Sequence, residues 1–318
     1  MSFPYTLDNK RYHTLNYYNK SRYGGKVFKA SLDAGCSCPN RKVGNRGGCI
    51  YCEGGSHYFC GPGSIRSQME GEIARIQKKF PQAKIIPYFQ AGTNTYGDLA
   101  QLKVLWQQTL AYPGVVGISI ATRADCLGKA VLEALGELRD KTDLTVELGL
   151  QTVHDETAKR IGRGHDFAAF LKGYGALKER NIRVCVHIIN GLPGETEEMM
   201  LETARVLGHL RPDGVKIHLL HVAEGTELAE LWRNGGYIPM EKQDYIRITA
   251  RQLTFFPPET VIERLTGDGD KNKLLAPLWS QDKISVLGGI DREMAVEALE
   301  QGMGFEATPT PHPESSLR

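Results

Sequence analysis

Apolar residues recur along this chain with two alternating periods. The polar amphipathic run SQMEGEIARIQKKF is followed by the short apolar run AKIIPYF, and helix-like DLAQLKVLWQQTLAY by VVGISIA. The alternation continues through GKAVLEALGEL, TVELGLQ, DETAKRI with FAAFLKGYGALKERN, RVCVHIING, TEEMMLETARVLGHL and DGVKIHLLHV. Short β-branched runs bounded by turn residues, alternating with helical periods, predict βαβ units and a parallel sheet. Five strands are readable in this region and a sixth is expected in KVFKASLD. That number predicts an α/β fold built as a partial (β/α)6 TIM-like barrel, with functional groups in the loops after the strands.

The pattern also divides the chain. Residues 1–30 interleave Lys10, Arg11, Lys20, Arg22, Lys26 and Lys29 with Tyr5, Tyr12, Tyr17, Tyr18 and Tyr23. Such a mixture suits phosphates and stacked bases, and equally an arm packed on the barrel. The barrel is expected over 31–225. Beyond it, ELAELWRNGGY, EKQDYIRITARQLTFF and RLTGDGDKNKLLAPLWS predict a helical C-terminal extension over 226–305, packed beside the barrel. The Pro/Ser-rich ending, 306–318, is expected to be disordered.

Charge changes this picture little. A formal net charge of +2 over 318 residues makes any basic surface a local patch, so a nucleic-acid partner is permitted rather than announced. Neither a signal peptide nor an apolar run of membrane-spanning length is readable, and a cytoplasmic protein with no membrane partner is expected.

Cysteine changes it more. Four of the seven cysteines fall in CSCPNRKVGNRGGCIYC, residues 36–52. An odd number, so crowded, suits metal or cluster ligation in a reducing compartment better than a disulfide framework. Cys38, Cys49 and Cys52 form C-x10-C-x2-C. With His57 these three would make a plausible tetrahedral zinc site. Three thiolates on a four-iron cluster would instead leave one iron open. The position after the first strand, Tyr51 before the last cysteine, and the α/β array that follows favour iron and sulfur. Cys60, Cys126 and Cys185 are isolated, as buried structural thiols usually are.

The cysteine loop resembles that of the radical S-adenosylmethionine superfamily, although the usual spacing there is C-x3-C-x2-C. The longer spacing is similar to the branch related to the Elongator catalytic subunit, and within it to the YhcC-type family. SLDAG, CPNR, GGCIYC, YFQAGTNTY, ISIATRADC, VELGLQT, GRGHD, INGLPGE, KIHLLHV and APLWS carry the resemblance over residues from about 31 to 279. It implies a [4Fe-4S] cluster on Cys38, Cys49 and Cys52, whose unique iron chelates S-adenosylmethionine. An electron from the cluster, fed by a donor such as flavodoxin or ferredoxin, would break the sulfur–C5′ bond to give a 5′-deoxyadenosyl radical. Cys36 stands where the family usually has an aromatic and is expected not to be a ligand.

Candidate cofactor contacts follow from residues and resemblance together. Period-two alternation places Glu147, Gly149 and Gln151 on one face of a strand, opposite Val146, Leu148 and Leu150. A carboxylate there meets water, a ligand or a cation, or forms a buried ion pair. The resemblance suggests Gln151 for the ribose hydroxyls and Arg163 for the cofactor carboxylate. Gln90, Thr93 and Asn94 follow a strand in YFQAGTNTY, where Gly92 replaces an expected aromatic. Thr122, Arg123 and Asp125 follow the next, with Ala124 in place of the usual proline. Gly191 and Gly194 admit the adenine or simply make a turn. Lys216 and His218 share one face, with His221 offset, and are the candidate substrate contacts.

Elongator-like relatives act on the wobble uridine of tRNA. The resemblance therefore suggests tRNA as partner and the 5-carboxymethylaminomethyl side chain of that uridine as target. A small metabolite or a protein side chain is the alternative substrate, and a non-catalytic zinc-binding module that grips RNA or protein the alternative class.

Overall fold

In the computed structural model, which describes residues 3–41, 48–52, 57–267 and 269–306, the alternation forms one curled parallel sheet. Strands β1 (Val27–Leu32), β2 (Lys84–Phe89), β3 (Ile118–Thr122), β4 (Leu144–Gln151), β5 (Arg183–Asn190) and β6 (Gly214–Leu219) lie side by side in chain order. After β6 come a two-residue strand, β7 (Val222–Ala223), and β8 (Val261–Arg264). β8 pairs parallel with β6 and makes the sheet seven-stranded. A final strand, β9 (Leu274–Ala276), pairs antiparallel with β7. The seventh strand corrects the expectation that the C-terminal extension only packs beside the barrel. Four residues of VIER, buried on entry and half-buried at the end, are too few to show a period.

Helices cross between the strands: α2 (Ile65–Gln77), α3 (Leu99–Leu110), α4 (Lys129–Arg139), α5 (Asp155–Arg160), α6 (Phe167–Lys178) and α7 (Glu197–His209). Their starts are written in the sequence. Ser64, Asp98, Asp166 and Thr196 each accept a hydrogen bond from a backbone N–H of the first turn. α8 (Glu227–Arg233), α9 (Lys242–Thr254) and α10 (Lys283–Val296) complete the extension.

Alternation along each strand sorts the side chains. Val146, Leu148, Leu150, Val184, Val186, Ile188, Val215 and Ile217 belong to the main apolar core. The opposite face is charged. Glu147 on β4, with no exposed side-chain surface, takes Lys29 of β1 on Oε1 at 2.5 Å and His187 of β5 on Oε2 at 2.8 Å. It also ion-pairs with Lys216 of β6 and accepts from Ser119 of β3 at 2.9 Å. Lys29 reaches Glu263 of β8 at 2.8 Å, and Glu263 binds Arg183 of β5 at 2.9 Å. Because β1 and β8 are the two edges of the sheet, the Lys29–Glu263 pair shows how far the sheet has curled. α1 (Leu15–Tyr23) packs against both edge strands, and Thr14 bridges to Ile262.

The N-terminal arm is therefore structural. Arg22 forks onto Asp143 at 2.7 and 3.1 Å, Lys10 pairs with Asp291, and Lys26 lies 4.1 Å over the Phe80 ring. Tyr5 stacks on His13 at 4.7 Å, and Arg183 lies 4.8 Å from the Tyr18 ring. Of the two readings open for this segment, packing on the barrel is the one observed. Phosphate contact by Arg22 or Lys10 would compete with these pairs.

Removing one partner of a buried ion pair leaves the other charge uncompensated, at a cost of about 3–5 kcal/mol. Lys29→Met is expected to lower unfolding free energy by about that much, whereas Arg22→Met, at an exposed pair, costs about 0–1 kcal/mol; denaturant unfolding distinguishes the two. Lys29 and Arg183 hold the Glu263 carboxyl down at about 2, below its usual 4.5. A depressed carboxylate stabilises the fold above its unfolded pKa, so this contribution is complete above about pH 5 and disappears as pH falls toward 2.

Candidate functional site

The C-terminal ends of the strands surround a cavity of about 210 Å³. Cys38, Cys49 and Cys52 all line it, together with Gln90, Thr93, Thr122, Glu147, Gln151 and Arg163. The cysteine loop reaches this position through backbone pairing with the GRG segment that follows α5. Ile50 N donates to Ile161 O at 2.9 Å, and Asn40 Nδ2 donates to Gly162 O at 2.7 Å and Arg163 O at 3.1 Å. Arg123, itself forked onto Asp125 at 2.7 and 2.9 Å, donates to Arg163 O at 2.9 Å.

Two glycines make this close approach possible. A Cβ at Gly164 would lie 2.3 Å from Asn40 Oδ1, and one at Gly92 would lie 2.0 Å from Cys36 O. Both have positive φ, +82° and +74°. The aromatic residue expected at 92 is thus excluded by the Cys36 carbonyl. Cys36 itself belongs to the main apolar core, where burial pushes its thiol up to about 11. It does not line the cavity.

The surroundings of the three cysteines fit an anionic cluster. Asn40 Nδ2 lies 3.7 Å from Cys49 Sγ, and the Tyr51 hydroxyl bonds the same sulfur, burial holding that hydroxyl well above its usual range and so protonated. Arg123 supplies positive charge near Cys38. The zinc alternative fits less well. His57 is held by Asp33 at 2.5 Å, and among the described residues no three His, Cys, Asp or Glu side chains converge as for a single metal ion. Ligands of a four-iron cluster bind separate irons and need no such convergence.

Gln151, the last residue of β4, has φ +76° where the β4–β5 register slips. Strain at a non-glycine residue beside a cavity is characteristic of functional sites. Arg163 is buried, donates from Nη2 to Gly149 O at 2.6 Å, and keeps a buried Nε with no hydrogen-bond partner. Gln90 accepts from Ser31 at 3.1 Å, and Thr122 is bonded to Thr95 at 2.5 Å.

Other candidates lie elsewhere. The Asn94 amide donates to Phe89 O, Ala91 O and Ala121 O at 2.9, 3.1 and 3.2 Å, so it braces the loop behind the cavity. Gly191 lies under Met240 and Tyr237, whose hydroxyl donates to Gly191 O at 2.8 Å; it makes the turn and lines neither cavity. Lys216 is spent on Glu147 and also lines neither. His218 does line a second, adjoining cavity of about 260 Å³, with its Nε2 buried and unpartnered. His187 was not among the residues singled out by the sequence, although its period-two relation to Arg183 and Cys185 places it on the same face. It lines both cavities, as do Tyr51, Cys52 and Gln151.

The profile of the radical SAM superfamily matches residues 38–207, and that of the Radical_SAM C-terminal domain matches 212–296. The chain belongs to the radical SAM superfamily. It is 44% identical to YtqA of Bacillus subtilis (strain 168) over 308 residues, 96% of each chain. It is 36% identical to YhcC of Escherichia coli (strain K12), across 85% of this chain and 88% of that one. A more distant relative is the tRNA uridine(34) acetyltransferase of Methanocaldococcus jannaschii, 31% identical over 48% of this chain and 28% of its own length. Among solved structures, the archaeal Methanocaldococcus infernus Elp3 with an N-terminal deletion superposes with a TM-score of 0.66 at 20% identity, covering 87% of this chain and 64% of that one. That likeness shows the shared fold, a parallel sheet curled into a partial barrel with C-terminal helices. Membership of the superfamily implies a [4Fe-4S] cluster and S-adenosylmethionine. Among the described residues no helix is long and apolar enough to cross a membrane.

Cys38→Ala, Cys49→Ala and Cys52→Ala are each expected to lose the brown chromophore after anaerobic reconstitution, by absorbance and iron content, while Cys36→Ala keeps it. Gly92→Ala, forced against Cys36 O, should also lower iron content despite leaving every cysteine in place.

Proposed function

We propose that this radical SAM enzyme acts on tRNA, at the side chain of the wobble uridine, in the cytoplasm and with a small electron-transfer protein such as flavodoxin or ferredoxin as reductant. The observation carrying the chemistry is that Cys38, Cys49, Cys52, Gln151 and the unpartnered Arg163 Nε meet at one cavity. When bound, the cluster supplies the electron that splits S-adenosylmethionine into methionine and a 5′-deoxyadenosyl radical.

The chain's own residues have separate tasks. Cys38, Cys49 and Cys52 hold the cluster, while Asn40 and Tyr51 fix the Cys49 sulfur. Arg163 binds the cofactor carboxylate, its planar fork being suited to that group. Gln151, turned by its left-handed backbone, takes the ribose hydroxyls; Gln90, Thr93 and Thr122 complete the wall.

The support for tRNA is kinship with the tRNA uridine(34) acetyltransferase of M. jannaschii. The packed N-terminal arm favours a second reading, in which the substrate is a small metabolite fitting the second cavity. Mass spectrometry of tRNA nucleosides from cells lacking the protein tests the first: one wobble uridine species is expected to accumulate and its successor to vanish. An unchanged profile in a strain without a redundant route overturns it. Purified tRNA is also expected to bind with an affinity that falls steeply between about 50 and 200 mM salt.

A further inference from the structure

The two cavities share Tyr51, Cys52, Gln151 and His187. With the cofactor in the cavity lined by the three cysteines and the substrate in the other, these four residues would lie between them. Cys52 is assigned to the cluster, Gln151 does not titrate, and burial keeps the Tyr51 hydroxyl protonated. His187 is the member of the four able to take up and release a proton near neutral pH.

Its surroundings determine which nitrogen does so. The Glu147 carboxyl is held well below the usual range by Lys216 and Lys29, and an ionised carboxylate only accepts. His187 Nε2, 2.8 Å away, therefore carries the proton, and Nδ1 of the neutral ring is an acceptor. Charged and titratable groups approach from several strands. Lys216 and His218 come from β6, His218 with its ring centre 5.1 Å away, and Arg264 comes from β8. Burial, Lys216 and Arg264 lower the His187 pKa while Glu147 opposes them, leaving the ring neutral at rest.

We infer that His187 is the proton acceptor of the reaction, with Glu147 as its positioning residue, and that the substrate carries an O–H or N–H on the carbon from which hydrogen is removed. Loss of the hydrogen atom makes such a group more acidic than it is in the intact substrate. Its proton passes to His187 Nδ1, and its bonding electron pair stays on the substrate. The imidazolium that forms is balanced by Glu147 and later releases the proton to solvent. One proton and no electron moves in this step. Location of the acceptor rests on the radical SAM reading of the cavity lined by the three cysteines; it does not require that the substrate be tRNA.

The test is 15N NMR of histidine-labelled full-length protein with the cluster oxidised, the His187 signals being assigned by their loss in His187→Gln. Wild type is expected to show a protonated Nε2, an unprotonated Nδ1 and a pKa below 6.5. Lys216→Met should move that pKa upward, and Arg264→Gln should do the same if the first variant fails to fold. A protonated Nδ1, or a ring already cationic at pH 7.5, overturns the assignment. In turnover with tRNA, the yield of modified nucleoside per 5′-deoxyadenosine should fall about 100-fold in His187→Gln; an unchanged ratio also overturns it. If wild type leaves tRNA unmodified, the tRNA reading fails and His187 is judged by its ring state.

Discussion

A carboxylate at the centre of the barrel, Glu147, organises the charged side chains inside it. Both oxygens are occupied, by Lys29 and Ser119 on one side and by His187 and Lys216 on the other. These partners come from β1, β3, β5 and β6, so one buried charge ties together strands that are not neighbours. Through Lys29 the network extends to Glu263 on the opposite edge. Taking such groups out of water costs several kcal/mol per ion, and the network offsets this only because every charge has more than one partner or a very close one. Barrels filled by aliphatic layers need no such arrangement. Here it keeps a polar interior under the two cavities, with three cations, Lys29, Lys216 and Arg183, set against two carboxylates.

The second constraint is steric. The cysteine loop can lie over the mouth only if backbone meets backbone, and Gly92 and Gly162 are where this happens. A methyl group at Gly92 would lie 2.0 Å from Cys36 O and one at Gly162 2.5 Å from Gly48 O, both backbone oxygens of the cysteine loop that no side-chain rotation can move aside, while one at Gly164 would displace the Asn40 amide. Loop and GRG segment are then locked by the Asn40 amide and by Arg123, which spends one nitrogen on Arg163 O. Arg163 is thereby fixed at its backbone and at Nη2, leaving Nε for a ligand. Pre-set geometry of this kind lowers the entropic cost of binding the cofactor.

The strands, their order and the three cysteines facing the cavity were legible because they rest on local periods and short spacings. Separation of Cys36 from the others was legible too, through its replacement of an apolar residue. The seventh strand was not, being four residues long and paired with β6 across the 41 residues between Leu219 and Val261. Nor could pattern alone decide between a ligand-facing and an ion-paired Glu147. That choice depends on Lys29, 118 positions away in sequence, and Lys216, 69 away. The N-terminal arm shows the same difficulty in reverse. Interleaved tyrosines and basic residues have one composition whether they meet RNA or pack, and their partners Asp143, Asp291 and Phe80 lie far along the chain.

The position of His187 brings these constraints together. A histidine beside one cavity, exposed to water, would titrate near its ordinary value and have no fixed tautomer. With side-chain exposure of 17% and Nε2 bound to Glu147, it has a lowered basicity and a fixed tautomer. Lys216 does more than neutralise Glu147: by opposing protonation of the imidazole, it keeps the junction uncharged until a proton arrives, and Glu147 then limits the cost of the cation that results. The same balance explains why a buried lysine is useful where it contacts neither cavity. Replacing the ion pairs by a packed apolar interior could preserve the fold, but would leave His187 without its fixed tautomer or its restrained basicity.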